Sequence, residues 1–344
     1  MTVRQVDDDL LAALREQVDA HTAARHRGSR VRDLRPLTGG TSSLTFTVDL
    51  EGVPRAETPM VLKVAPPGLP AVRNRDVLRQ ARLQKALQGA ERILAPNVFF
   101  SDPGIPPEVP PFMAMNLVTG ECVEPLLQPE GDRPGPGQVH ARFLDAARLL
   151  ASLHRIVPHD VGLGDEPVVE LAEEIDRWTR AYATLPQELS GDYERVAAAL
   201  HATVPAALTP VINHGDFRLG NAFCTDGRIN AVIDWEIWSV GDPRVDVAWL
   251  AFFTDDAGHP AADPGPAAGT PTGADVVHAY EAETGRELPD LHWFHALARY
   301  KEAGLTGLLI KRADKSGRQL TGAMARMRPG LPVLLEEALK GLGR

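Results

Sequence analysis

The chain has 344 residues, enough for about two units of ~150 residues, so a sizeable core can be buried. Hydrophobic residues make up 44 % and charged residues 24 %, which excludes a mainly disordered or fibrous chain. Acidic residues outnumber basic ones 46 to 36, and the formal charge of -10 repels phosphate backbones, so nucleic acid is not expected as a partner.

No apolar run approaches the ~18 residues of a membrane span; the best stretch, Val245–Phe253, carries Asp246. The opening MTVRQVDDDL has no basic region followed by an apolar one, so no secretory signal is expected. Cys122 and Cys224 are the only cysteines. They make neither a disulfide framework nor a zinc ligand set, which fits a reducing, cytoplasmic setting.

In chain order, residues 6–27 read as an amphipathic helix with Leu10, Leu11, Leu14 and Val18 on one face. Val31–Leu50 alternates apolar and polar residues around Thr38-Gly39-Gly40-Thr41, which predicts a strand, a glycine turn and a second strand. A third strand follows at Met60–Ala65, then a charged helix at 71–88 and a strand near Asn97–Phe100. The prolines of 102–111 exclude a helix or central strand and lead into an apolar strand, Phe112–Val118. A long helix is predicted from about 138 to 156, and the Pro/Gly/Ala-rich loop 256–273 is expected to be mobile. The strand-rich start and helical remainder divide the chain into residues 1–118 and 119–344, an α+β organisation.

The informative segment is VINHGDFRLGNAFCTDGRINAVIDWEIWSVGDPRVD, Val211–Asp246. A hairpin turning at Asp226-Gly227 brings Asn221, at the start of one strand, toward Asp234, at the end of the next. Two hard oxygen ligands converging in this way suit Mg²⁺ with waters and substrate phosphates. Asp216 then stands beside the metal, where it can orient a hydroxyl and accept its proton.

His214-Gly215-Asp216, Asn221 and Asp234 resemble the catalytic signature of the aminoglycoside phosphotransferase family. The strings HGDFRLGN, IDWE, GDP and DVAWL resemble most closely a subgroup whose kinase domain also occurs fused to acyl-CoA dehydrogenases. The resemblance runs over nearly the whole chain. It implies a bilobal protein-kinase-like fold, with an antiparallel-sheet N-terminal lobe and a mainly helical C-terminal lobe. It also implies ATP or GTP with Mg²⁺ as cofactors and a small-molecule hydroxyl as acceptor.

On that resemblance, Gly39, Gly40, Thr41 and Ser42 cover the nucleotide and Lys63 binds its phosphates. Met115, Asn116 and Val118 form the interlobe hinge against the adenine, Met115 guarding the pocket behind it. Asp216 and Arg218 are catalytic, Arg218 facing the transferred phosphate, and Asn221 and Asp234 hold the metal. His214 braces the loop, and Asp246 holds the loop's backbone amides from a buried helix. Plainer readings stand beside these: Lys63 as a solvated strand lysine, Asp216 and Asn221 as turn residues, Arg218 in an outward salt bridge, Asp246 as a helix-start aspartate.

Three departures from the family pattern matter. Gln80 stands where a glutamate usually pairs with the strand lysine, and Asp76, one turn back, is the expected compensation. Asp-Trp-Glu replaces Asp-Phe-Gly. The C-terminus, Lys340-Gly-Leu-Gly-Arg344, lacks the carboxylates that hold a polycationic antibiotic. By likeness to the subgroup fused to acyl-CoA dehydrogenases, a hydroxyacyl thioester or hydroxy acid is the preferred acceptor and an aminoglycoside the alternative, with Trp293, Tyr300 and Lys311 expected in the acceptor wall. A nucleotide-binding pseudokinase scaffold is the competing class. No G-x-S-x-G, H-E-x-x-H or Walker-A sequence occurs. The oligomeric state is left open.

Overall fold

In the computed structural model, which describes residues 8–37, 43–90, 92 and 94–343, the alternating N-terminal segment forms a five-stranded antiparallel sheet. Its strands are β1 (Arg30–Pro36), β2 (Leu44–Glu51), β3 (Met60–Val64), β4 (Val98–Asp102) and β5 (Phe112–Asn116), in the order β1-β2-β3-β5-β4. One face carries Phe46, Val48, Leu62 and Phe112, which bury Leu14 and Val18 of α1 (Asp8–Arg25). On the other face Met113 and Val98 meet Ala81 of α2 (Val77–Leu87). The register pairs Lys63 with Met113, so the lysine lies on the α2 face, since directly opposed residues share a face. The helix predicted from 71 begins only at Val77, because the Asp76 carboxylate caps it by accepting the Arg79 N–H at 2.9 Å.

This sheet and its helices make one compact unit, Met1–Thr119 with Ala231–Ile237; the other is Gly120–Asn230 with Trp238–Arg344. In the second, α3 (Pro136–His154), α4 (Leu171–Tyr182), α5 (Gln187–Ser190) and α6 (Tyr193–Ala202) precede the segment His214–Asp234. After it come α7 (Arg244–Ala251), α8 (Gly273–Thr284), α9 (Leu291–Lys315) and α10 (Gly322–Gly341). Strands β6 (Val168–Val169), β7 (Val211–Asn213) and β10 (Ser239–Gly241) form a small sheet, and β8 (Ala222–Thr225) and β9 (Arg228–Val232) form a hairpin. That hairpin turns at Asp226-Gly227, where Asp226 adopts φ +52°, a left-handed value that aspartate tolerates.

α9 is the axis of this unit and is buried on most sides, as a helix without a polar face must be. A Cβ on its Gly304 would lie 2.9 Å from the Tyr182 ring, so the glycine permits the close approach of α4. The expected acceptor wall is corrected here. Trp293 and Tyr300 are core residues, their polar atoms bonded to the Leu200 carbonyl and the Thr179 hydroxyl. Lys311 donates to the Thr184 carbonyl.

The GDP motif builds a second core feature. Arg244, fully buried, contacts Asp242 at 2.7 Å and donates to the carbonyls of Ala206 and Pro289. Its guanidinium stacks 4.2 Å from the Phe294 ring centre. The 256–273 loop, expected to be mobile, is pinned: Asp255 accepts the N–H groups of Ala268, Gly269 and Thr270, and Arg326 donates to the Ala261 carbonyl.

Candidate active site

The segment after β7 turns sharply at Gly215, whose φ of +85° suits a residue without a Cβ. Asp246 on α7 fixes the turn: its carboxylate accepts the N–H of His214 at 2.5 Å and that of Gly215 at 2.9 Å. Lys301 of α9 donates to the Gly215 carbonyl and rests over the Trp249 ring at 3.8 Å. His214 is fully buried and its Nδ1 accepts the Asp216 N–H. That nitrogen is thereby committed to bracing the loop.

Asp216 emerges from this support with both oxygens engaged. Oδ1 accepts Trp249 Nε1–H at 2.8 Å and Arg218 Nε–H at 3.3 Å; Oδ2 accepts the Asn221 amide at 2.8 Å. Burial pushes its carboxyl pKa up, but Arg218, Lys301, His214 and the Trp249 donor outweigh burial, so the net shift is downward. Asn221 spends its amide nitrogen on Asp216, and among the described residues nothing donates to its Oδ1. That oxygen is the atom suited to a cation.

Arg218 points inward. It lies 3.5 Å from Glu124, 5.5 Å from the Phe253 ring centre, and shares its charge between Glu124 and Asp216. Glu124 is buried, accepts the Gly220 N–H at 2.9 Å and leaves its Oε1 without a partner. Burial pushes its pKa up to about 7 against the pull of Arg218, and burial pushes Glu302 to about 7 as well. Both stay protonated in the fold at pH values where the unfolded chain, with an ordinary value of 4.5, has released its protons. Their contribution to stability is therefore complete below pH 4.5 and lost as pH rises through about 7. Chemical denaturation across this range is expected to show a falling limb that flattens in Glu124→Gln and Glu302→Gln.

In the other unit, Lys63 is buried, with Asp234 at 3.5 Å and Glu236 at 3.8 Å. Asp234 sits at φ +67°, a left-handed value that aspartate tolerates, and its side chain is 42 % exposed, open to a cation. Gln80 is buried but donates to the Asn74 carbonyl, and its Oε1 has no partner. The expected compensation by Asp76 fails because that carboxylate is the α2 cap. Glu236, which sequence reasoning did not set beside Lys63, supplies the second negative charge.

Met115 pairs with Val98 and packs beside Met113. The Asn116 N–H donates to the Asn97 carbonyl and its side chain accepts the Asn97 N–H. Among the described residues Val118 makes no backbone hydrogen bond. Gly39, Gly40, Thr41 and Ser42 lie outside the described residues. Sequence reasoning also missed Trp249, Glu124, Lys301 and Glu302. Only Trp249 had a signal, lying three residues after Asp246 and so on the same helical face.

Residues 33–291 match the phosphotransferase enzyme family known as APH. Acyl-CoA dehydrogenase family member 11 of Gallus gallus is 28 % identical over 64 % of this chain and 28 % of that protein. The chain spans about a fifth to a third of the length of the curated relatives it matches first. Among solved structures, a Ralstonia eutropha protein provisionally described as an aminoglycoside phosphotransferase shares 23 % identity at a TM-score of 0.73, covering 94 % of this chain and 98 % of that one. The GDP and kanamycin complex of an APH(2'') protein shares 14 % at a TM-score of 0.60, covering 94 % and 99 %. These likenesses show the protein-kinase-like fold. With well over half its length matched, this chain belongs to the phosphotransferase enzyme family, kinase-type enzymes that phosphorylate hydroxyl groups of small molecules.

Proposed function

We propose that the chain moves the γ-phosphate of ATP or GTP to a hydroxyl of a hydroxyacyl thioester or hydroxy acid. The observation that carries the transfer is Asp216, a carboxylate held by three side-chain donors on a loop whose amides are clamped by Asp246. In this role it aligns the acceptor hydroxyl and takes its proton. Its lowered basicity suits a loose transition state, in which the proton leaves late and positioning does most of the work. Arg218 sets the Asp216 carboxylate and offsets charge developing on the phosphoryl oxygens.

Lys63 binds the nucleotide phosphates, and the base lies against Met115, Asn116 and Val118. Asp234 and Asn221 are the metal ligands. One exposed carboxylate and one amide oxygen fit Mg²⁺, which prefers few protein oxygens and keeps its waters. Charge neutralisation at the phosphates is what Mg²⁺ supplies when bound. Lys63→Met is expected to weaken nucleotide binding by about tenfold or more, the value of a charge-assisted contact, in a direct titration.

The acyl acceptor is supported by the curated relatives, which are acyl-CoA dehydrogenase family proteins matched over only part of their length. An aminoglycoside acceptor is the second reading, favoured by the kanamycin in one structural neighbour. A catalytically silent scaffold is disfavoured by the intact set of Asp216, Asn221 and Asp234. The test is transfer of γ-labelled ATP or GTP, with Mg²⁺, to a panel of hydroxyacyl thioesters, hydroxy acids and aminoglycosides. Label on a thioester or hydroxy acid is the expected result. Label on aminoglycosides alone overturns the acceptor, and nucleotide binding without label on any acceptor overturns the activity.

A further inference from the structure

Behind the catalytic loop, within the unit of α3 to α10, lies a cavity of about 460 Å³, a size typical of small-molecule sites. Its wall is apolar, made by Ile156, Val157, Leu208, Pro210 and Leu288, and Val157 is 53 % exposed at its lip. Its floor is polar. The His154 imidazole, with a side chain 1 % exposed, bonds Tyr280 through Nδ1 at 2.9 Å, and its Nε2 has no hydrogen-bond partner. That nitrogen lies 3.7 Å from the Asp246 carboxylate, the group that holds the His214 and Gly215 amides.

Charge at the rim is asymmetric. Arg155 is paired with Glu283, whereas Arg286 is exposed and has no ion-pair partner among the described residues. Glu287 also reaches the rim. A ligand that uses this site needs an apolar body for the wall and one anionic head for the free guanidinium.

We propose that the cavity is a second ligand site, distinct from the phosphotransfer centre, for a small monocarboxylic acid with a short alkyl chain. The alkyl chain lies against Ile156, Val157 and Leu288, and the carboxylate meets Arg286. A bound chain presses on His154 and Tyr280, and through His154 on the Asp246 carboxylate. Occupancy therefore alters how firmly the catalytic loop's amides are held. The binding step is independent of the proposed reaction, and only its consequence for turnover rests on Asp216 being catalytic.

The test uses the full chain and octanoate, with 1-octanol as the uncharged counterpart. Calorimetric titration is expected to show saturable octanoate binding, weaker by about tenfold or more for octanol and for Arg286→Ala, the loss of one charge-assisted hydrogen bond. Arg286 is exposed, so the variant folds, and it touches nothing in the phosphotransfer machinery. Hydrogen exchange at the His214 and Gly215 amides is expected to change on octanoate addition in the parent and not in Arg286→Ala. No saturable binding, or equal binding by the variant, overturns the site. Binding that leaves those two amides unchanged overturns the coupling. Neither readout needs an acceptor, so failure here is separable from failure of the proposed activity.

Discussion

Asp216→Asn is expected to lower phosphoryl transfer by about a hundredfold to ten-thousandfold, the range for loss of a positioned general base, while nucleotide still binds. The substitution is less silent than its shape suggests. Both Asp216 oxygens accept hydrogen bonds, from Trp249 and Arg218 on one side and from Asn221 on the other. An amide NH₂ in either orientation faces a donor, at a cost of about 1–3 kcal/mol for the mismatched buried pair. The variant should therefore melt at a slightly lower temperature and still be folded at the assay temperature. Transfer measured with γ-labelled nucleotide, alongside a nucleotide titration, separates the two effects. Turnover equal to the parent's would remove Asp216 from the reaction.

Arg244→Met is expected to give the largest loss of stability, about 3–5 kcal/mol, because it strands a buried carboxylate. Asp242 would keep only backbone N–H donors, those of Leu208 and Arg244's own position, and the Ala206 and Pro289 carbonyls would lose theirs. Removing both charges, as Asp242→Asn with Arg244→Met, is expected to cost less than the single change, since no uncompensated ion remains. Urea denaturation checks this through the midpoint at constant slope. A single variant as stable as the parent would mean that the ion pair does not anchor the α7 start.

The loop's geometry was legible because its residues are adjacent in sequence. HGD, the asparagine and the aspartate need only one hairpin to be placed, and Asp226-Gly227 signals that turn. The Asp246 clamp was legible for the same reason, one helix away. Glu124, Lys301, Glu302 and His154 were not. Each is a single polar residue on a distant element with no spacing to mark it, and only packing brings it beside Arg218, Gly215 or Asp246.

Two expectations failed through competition between local and tertiary effects. Asp76 lies on the right helical face for Lys63, yet the unsatisfied N–H groups at the start of α2 claim it first. Trp293 and Tyr300 were expected in a binding wall because they lie on the helices after residue 274, but α9 runs through the middle of its unit.

The carboxylates facing Lys63 have a consequence for control. In protein kinases the partner glutamate rides on a mobile helix, and docking or undocking that helix switches the enzyme on or off. Here both acidic neighbours, Asp234 and Glu236, sit within one three-residue stretch, and the helix position carries neutral Gln80, tied to Asn74. Swinging Gln80 on α2 would neither make nor break a charge pair with Lys63. The lysine keeps its carboxylate partners whenever its unit is folded, so a helix-borne glutamate is not the lever here.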